Sequence, residues 1–286
     1  MLQTNVMMNT KFLFLALLTV VFIGCSSDDS DNPDTEEVVS NHFPLTVGNS
    51  WTYNNQTAYE DGTFDNSQET ISVASSNEAQ GVTYYSLTSN LPPLQQGFVT
   101  GIITNGELTV ADNQLIYNGE LSINLSQMGI DAESLTIPLV NVIMFDADAN
   151  TGNTLIADLD NSFTQTIPIQ GNDITFTFDY DLETFQGDFL ESYTAGEMNF
   201  DDVFSADVII TIEINASLPG TVITIPVLDR QEAIQITNYY ANNVGLIYSN
   251  TDVHYQFEDI NLPTFPSIDD IQFNYTQELD SYTVIE

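Results

Sequence analysis

Strict alternation of apolar and polar side chains is the feature that most constrains the fold of this chain. Over residues 174–182 large apolar side chains occupy every second position, and Thr or Asp occupies the positions between them. The pattern returns over residues 208–215 and 252–258. A period of two, with β-branched and aromatic residues on one face, is typical of half-buried strands. A polar second face favours antiparallel pairing, because strands of parallel sheets are buried on both faces.

The alternation recurs along the chain and predicts an all-β fold. Predicted strands cover residues 68–75, 82–89, 97–103, 106–110, 114–124, 136–145, 162–169, 173–182, 206–216, 221–229, 231–238, 244–249, 252–259 and 271–284. Hairpin turns are predicted at 170–172 and 218–220, and single helical turns at 125–129 and 267–270. We expect one domain, residues 41–286, built as a large twisted antiparallel sheet that forms an open half-barrel or a sandwich. A split near residues 183–200 is the alternative.

The N-terminal segment has the pattern of an export signal. Lys11 precedes the apolar run 12–23, with Met1 or Met8 as the start. The run is shorter than the roughly 20 residues of a membrane span but has the length of a signal-peptide core. It ends in Phe-Ile-Gly-Cys, which resembles the bacterial lipobox, where a small residue precedes a lipidated cysteine. The resemblance implies that residues 1–24 are removed and that Cys25, the only cysteine, carries diacylglycerol and palmitate-type acyl chains.

Residues 26–40, which follow the proposed lipidation site, are polar and acidic. They contain too few large apolar groups to offset the entropy cost of ordering, so residues 25–40 are expected to form a lipidated, disordered linker. An acidic Ser/Asp run at this place resembles the surface-export signal of Bacteroidota lipoproteins. A plain spacer in a periplasm-facing lipoprotein is the alternative.

Two further segments resemble uncharacterised surface lipoproteins of Bacteroidota of the flavobacterial type. The first is FPLTVGNSWTY at residues 43–53, and the second is YYANNVGLI at residues 239–247. The resemblance implies a large twisted antiparallel sheet, such as the open half-barrel of periplasmic lipoprotein carriers, and a location at the outer membrane with exposure at the cell surface. It implies no activity.

The charge balance excludes several classes of partner. All 41 acidic residues lie after Cys25, and Arg230 is the only Lys or Arg in that part of the chain. Nucleic acids and anionic lipids are bound through Lys and Arg side chains that neutralise phosphates. We therefore expect no nucleic-acid partner, and contact with the membrane only through the lipid on Cys25.

The best local candidate for a metal site is the acidic stretch 146–160. Its candidate ligands are Asp146, Asp148, Asn150 and Asp158. Their oxygens could converge on Ca²⁺, which takes about six to eight oxygen ligands. The stretch departs from the EF-hand template, because Gly152 takes the seventh position and Ala157 the twelfth. A polar hairpin connection, with side chains bonded to their own backbone, is the alternative.

Other polar residues are weaker candidates for catalytic, metal-binding or anion-binding roles. Asp179 and Asp181 share a strand face and could serve as acid and base if a pocket raised one pKa, but charge on an open strand face is normally solvated. His42 and His254 have no partner at metal-ligand spacing, so each is expected to be a solvated side chain. Arg230 predicts an ion pair with a carboxylate or contact with an anionic ligand.

The chain contains no nucleophile elbow, phosphate-binding loop or dinucleotide fingerprint. Trp51 and the tyrosine-rich strands could line a sugar or lipid site, although aromatic side chains at strand spacing favour a core position. We therefore expect a non-enzymatic, lipid-anchored envelope protein without a cofactor, which binds an apolar ligand or a partner in a concavity of the sheet. A Ca²⁺-dependent adhesin or glycan-binding module and a carboxylate-dependent hydrolase are the alternatives.

The excess of carboxylates predicts that salt stabilises the fold. Like charges repel one another less as the Debye length falls from about 10 Å at 0.1 M to about 3 Å at 1 M ionic strength. The melting temperature, followed by circular dichroism, is expected to rise between low-salt and seawater-like buffer. An unchanged melting temperature would contradict this prediction.

Overall fold

The computed structural model describes residues 41–123, 135–169, 171–218, 220, 223–260 and 268–285. These residues belong to one compact unit, Val39–Glu286. The predicted all-β fold with a large antiparallel sheet is confirmed, since nearly all regular structure is antiparallel strand. Cys25, the linker and the predicted helical turn at 125–129 lie outside the described residues.

Twelve strands in the described part of the chain form a single sheet. They are β1 (Ser50–Tyr59), β2 (Phe64–Ala79), β3 (Val82–Ser89), β4 (Gly106–Ala111), β5 (Gln114–Ile123), β6 (Leu135–Asp146), β7 (Thr154–Ile169), β8 (Asn172–Ala195), β9 (Met198–Ser217), β10 (Thr224–Ala241), β11 (Gly245–Tyr255) and β12 (Ile271–Thr283). Their order is β6-β5-β4-β3-β2-β1-β12-β11-β10-β9-β8-β7. The first and last strands therefore pair in the middle of the sheet.

The sheet curls until it is nearly closed into a barrel. The two ends meet through side chains of β8 that bond to β6. Thr184 Oγ1 donates to the Ile143 carbonyl at 2.8 Å, and the amide of Asp146 donates to Gln186 Oε1 at 3.1 Å. These bonds pair polar groups of β6 that would otherwise lie at a free sheet edge.

The strand predicted at residues 97–103 is wrong. Residues Phe98–Ile103 form a short helix, α1, preceded by a 3₁₀ turn at Pro93–Gln95. Val99, Ile102 and Ile103 are buried, at the spacing of one helical face. No helix in the described ranges is long and apolar enough to cross a membrane.

Several strands are longer than their sequence patterns indicated. The predicted strands 221–229 and 231–238 merge into β10, which continues through three register shifts in its pairing with β9. Residues 183–195 continue β8, so one strand passes through most of the stretch considered for a domain split. Residues 268–270, part of the second predicted helical turn, have no regular structure.

The two segments that resemble Bacteroidota lipoproteins contact each other in the core. Trp51 Nε1 donates to the Val244 carbonyl at 2.6 Å, and Tyr53 Oη donates to the Leu246 carbonyl at 2.9 Å. Gly245 has φ +113°, and a Cβ there would lie 3.2 Å from the Trp51 ring nitrogen. Trp51 is therefore a core residue, and the turn before β11 must come close to its ring.

Candidate functional site

A cavity of about 530 Å³ lies beside α1 on the concave face of the sheet. Strands β3, β5, β10, β11 and β12 contribute to its walls, together with α1 and the 3₁₀ turn. Its size falls within the range of small-molecule sites, about 300–1,000 Å³. The cavity is therefore large enough for an organic ligand.

One wall of the cavity is apolar. Strands β10–β12 supply it with Ile234, Val253, Tyr255, Ile271, Phe273 and Tyr275. The rings of Phe273 and Tyr275 lie 5.0 Å apart, and that of Phe98 in α1 lies 5.3 Å from Tyr275. Burial, and then the neighbouring Tyr275, raise the pKa of Tyr255 well above its ordinary value. This wall offers a contiguous aromatic surface to a ligand.

A buried carboxylate lies behind the cavity wall. Glu69 on β2 has no solvent exposure, and its side chain shares the face of Ile71 and Val73. Four neutral groups donate to it: Asn55 Nδ2 at 3.1 Å, Ser89 Oγ at 2.6 Å, the Gly97 amide at 2.9 Å and Thr100 Oγ1 at 2.5 Å. Ser89 and Gly97 line the cavity, so Glu69 holds part of its wall in place.

Gln277 on β12 supports the helix from the other side. Its Oε1 accepts from the Val99 amide at 2.7 Å and the Thr100 amide at 3.3 Å. Its Nε2 donates to Thr100 Oγ1 at 2.8 Å and to Asn55 Oδ1 at 3.2 Å. Backbone amides at the start of a helix have no acceptor within the helix. The amides in the first turn of α1 therefore donate to a side chain on a distant strand.

Gly97 is required by this close contact. A Cβ at this position would lie 2.0 Å from Gln277 Nε2 and 2.8 Å from Asn55 Oδ1. A larger residue would push the helix away from the polar groups that hold it.

A second cavity, of about 510 Å³, lies where the described chain begins. His42 lines it and is buried, with its ring centroid 4.4 Å from that of Phe204 and Nε2 3.2 Å from the Asp202 carbonyl. Burial lowers the pKa of His42, and the nearby charge and carbonyl of Asp202 partly oppose that shift. His42 thus has a core position rather than the solvated one expected from the sequence.

The predicted Ca²⁺ ligands occupy the connection between β6 and β7 and its flanks. Asp146 accepts from Gln114 Nε2 at 2.8 Å and from the Asp148 amide at 2.9 Å, and Asp148 accepts from Asn113 Nδ2 at 3.1 Å. Asn150 lies in the turn, and Asp158 lies on β7. Among the described residues no group of three or more His, Cys, Asp or Glu side chains is arranged to hold a metal ion.

The remaining candidates lie on the outer face of the sheet. Arg230 forms an ion pair with Asp181, whose other oxygen accepts from the Asp160 amide at 2.7 Å. Asp179 lies opposite Glu213 on β9, and His254 is exposed on β11. The structure therefore assigns Arg230 to a carboxylate partner, the first of its two predicted roles.

Sequence reasoning expected a concavity in the sheet but missed the position of the cavity and its polar support. A usable signal was present, because Glu69, Asn55 and Gln277 occur in phase with the apolar residues of their strands. A polar residue on the buried face of a strand needs hydrogen-bond partners inside the protein. Such residues could have been identified as an internal network, although the helix that they bond would have remained unknown.

We expect Glu69→Leu to destabilise the fold by about 3 kcal/mol, because it leaves four buried donors without an acceptor. The free energy of unfolding would be measured by urea denaturation. Glu78→Leu, at the exposed end of the same strand, is the control and should change it by less than about 0.5 kcal/mol. Equal effects of the two substitutions would contradict a structural role for the Glu69 network.

Comparison with known proteins gives few matches. No protein-family model matches this chain, and no curated protein matches it. A candidate lipoprotein structure from Parabacteroides distasonis is 14% identical, with 85% of this chain and 99% of that chain covered and a TM-score of 0.31. A candidate exported protein with a YmcC-like fold from Bacteroides fragilis is 13% identical, with 84% and 98% covered and a TM-score of 0.32. Similarity at these TM-scores does not assign a function.

Proposed function

We propose that this chain is a lipid-anchored protein of the bacterial cell envelope that binds an apolar ligand in the cavity beside α1. The observation that carries the proposal is the cavity itself, with its aromatic wall from β11, β12 and α1. Transfer of apolar surface from water to such a wall is favourable by roughly 25 cal/mol per Å².

The cavity is supported in a way that suits a binding site. Glu69 and Gln277 fix α1 against the sheet through buried hydrogen bonds, so the wall formed by the helix is preorganised. Preorganisation reduces the entropy lost when a ligand binds. Glu69 therefore supports binding by holding the helix in place, and it does not need to contact an apolar molecule itself.

The proposed anchor rests on the sequence. The apolar run before Cys25 and the small residue next to it fit lipidation, and the acidic segment that follows fits export to the surface of the outer membrane. A single acyl chain binds membranes only marginally, whereas two or three chains anchor a protein stably. The binding domain would then be retained at the envelope without any basic membrane-binding surface.

Gly101→Leu is expected to block the cavity without disturbing the fold. A Cβ at Gly101 would make ordinary contacts with Gln96, at 3.5 Å and 3.7 Å, and both residues line the cavity. Replacing Gly inside a helix also favours the helix. Binding of the neutral apolar dye Nile red, measured by fluorescence titration, should weaken at least about tenfold.

Gly101→Ala serves as the matched control, because it adds only one methyl group. It should retain Nile red affinity within about threefold and a melting temperature no lower than that of the wild type. Equal dye binding by the wild type and Gly101→Leu, with both proteins folded, would count against the cavity as the binding site.

Cys25→Ser tests the anchor. Without the thiol no diacylglycerol can be attached, so the product should move from the membrane fraction to the soluble fraction and should not incorporate labelled palmitate. Ser26→Ala, which keeps the thiol, should behave like the wild type. Membrane sedimentation of Cys25→Ser at the wild-type level would contradict a lipid anchor at this position.

A further inference from the structure

The polar side of the cavity is formed by the end of α1 and by β5. Thr104 and Asn105 follow the last turn of the helix, and Glu120 and Ser122 lie on β5. Asn105 Nδ2 donates to the Glu120 carbonyl at 3.5 Å, and the Tyr117 hydroxyl donates to the Ile102 carbonyl at 2.8 Å. The cavity therefore has an apolar wall from β10–β12 and a hydrogen-bonding wall from α1 and β5.

Charge on the polar wall has one sign. Glu120, which is solvent-exposed, is the one charged residue among the described residues that line the cavity, and they include no Lys or Arg. Arg230, the one Lys or Arg in the described part of the chain, is paired with Asp181 on the outer face. A negatively charged head group in the cavity would thus approach a like charge with no cation to compensate it.

We infer that the cavity selects amphiphiles whose head group is neutral or positively charged, and discriminates against carboxylate and phosphate head groups. The inference rests on the proposed function and specifies its ligand class. The tail of such a molecule lies against Phe273 and Tyr275, and its head group faces Thr104, Asn105 and Glu120. Two like charges about 4 Å apart repel each other by roughly 1 kcal/mol in bulk water and by roughly 4 kcal/mol near a protein surface.

Competition with Nile red by decylamine, decanol and decanoate at neutral pH tests the inference. The three probes share one tail and differ only in head group, and only displacement that is lost in Gly101→Leu is counted. Decylamine and decanol should each compete at least about tenfold better than decanoate, because only decanoate brings a negative charge. If decanoate competes equally well, the selectivity is overturned and apolar binding stands. If no probe competes, both proposals fail.

Glu120→Gln separates the local carboxylate from the overall negative charge. It should improve competition by decanoate relative to decanol at least about threefold. Glu107→Gln removes the same charge from an exposed position on β4 outside the cavity and should leave the three probes in their wild-type ratio. Equal effects of the two variants would assign the selectivity to net charge and overturn the role of Glu120.

Discussion

Filling the interior of a twelve-stranded sheet is the constraint on which the rest of this structure depends. A barrel of about eight strands can fill its interior with its own side chains, whereas larger barrels leave space for plugs or ligands. Here aromatic residues fill one region, with the rings of Phe145, Phe204 and Tyr240 within 4.7–5.8 Å of one another. Elsewhere α1 packs against the concave face, and the cavity is the space that remains.

When a helix packs against the concave face of a sheet, its first backbone amides are buried and need acceptors, which polar side chains of the sheet supply here. The amides at the start of α1 are buried, and no capping side chain lies next to them in sequence. Glu69 and Gln277 reach them from β2 and β12, and the row of buried polar residues continues across Asn55. Buried polar groups of this kind are costly unless all partners are present, so the network fixes one position for the helix.

The strands were predictable because the alternation of apolar and polar residues is a local property of the sequence. Helix α1 was not predictable, since the residues that stabilise it are distant in the sequence. Phe98–Ile103 contains β-branched residues and a glycine, which individually disfavour a helix. Burial of three apolar residues and acceptors from Glu69 and Gln277 override these preferences. Likewise, nothing near Arg230 in the sequence identifies Asp181, which β8 brings to it from 49 residues away. The location of the cavity was unpredictable for the same reason, since its walls combine seven separate elements.

The scarcity of Lys and Arg affects both the buried carboxylate Glu69 and the charge on the cavity wall. With one Arg in the described ranges, and that Arg paired on the outer face, a buried carboxylate can be satisfied only by neutral donors. Glu69 is held in this way by an amide side chain, two hydroxyls and one backbone amide. The same composition leaves the described residues that line the cavity without a basic side chain to attract an anion. Among the described residues that line the cavity, Glu120 is therefore the only charged one, and no cation accompanies it.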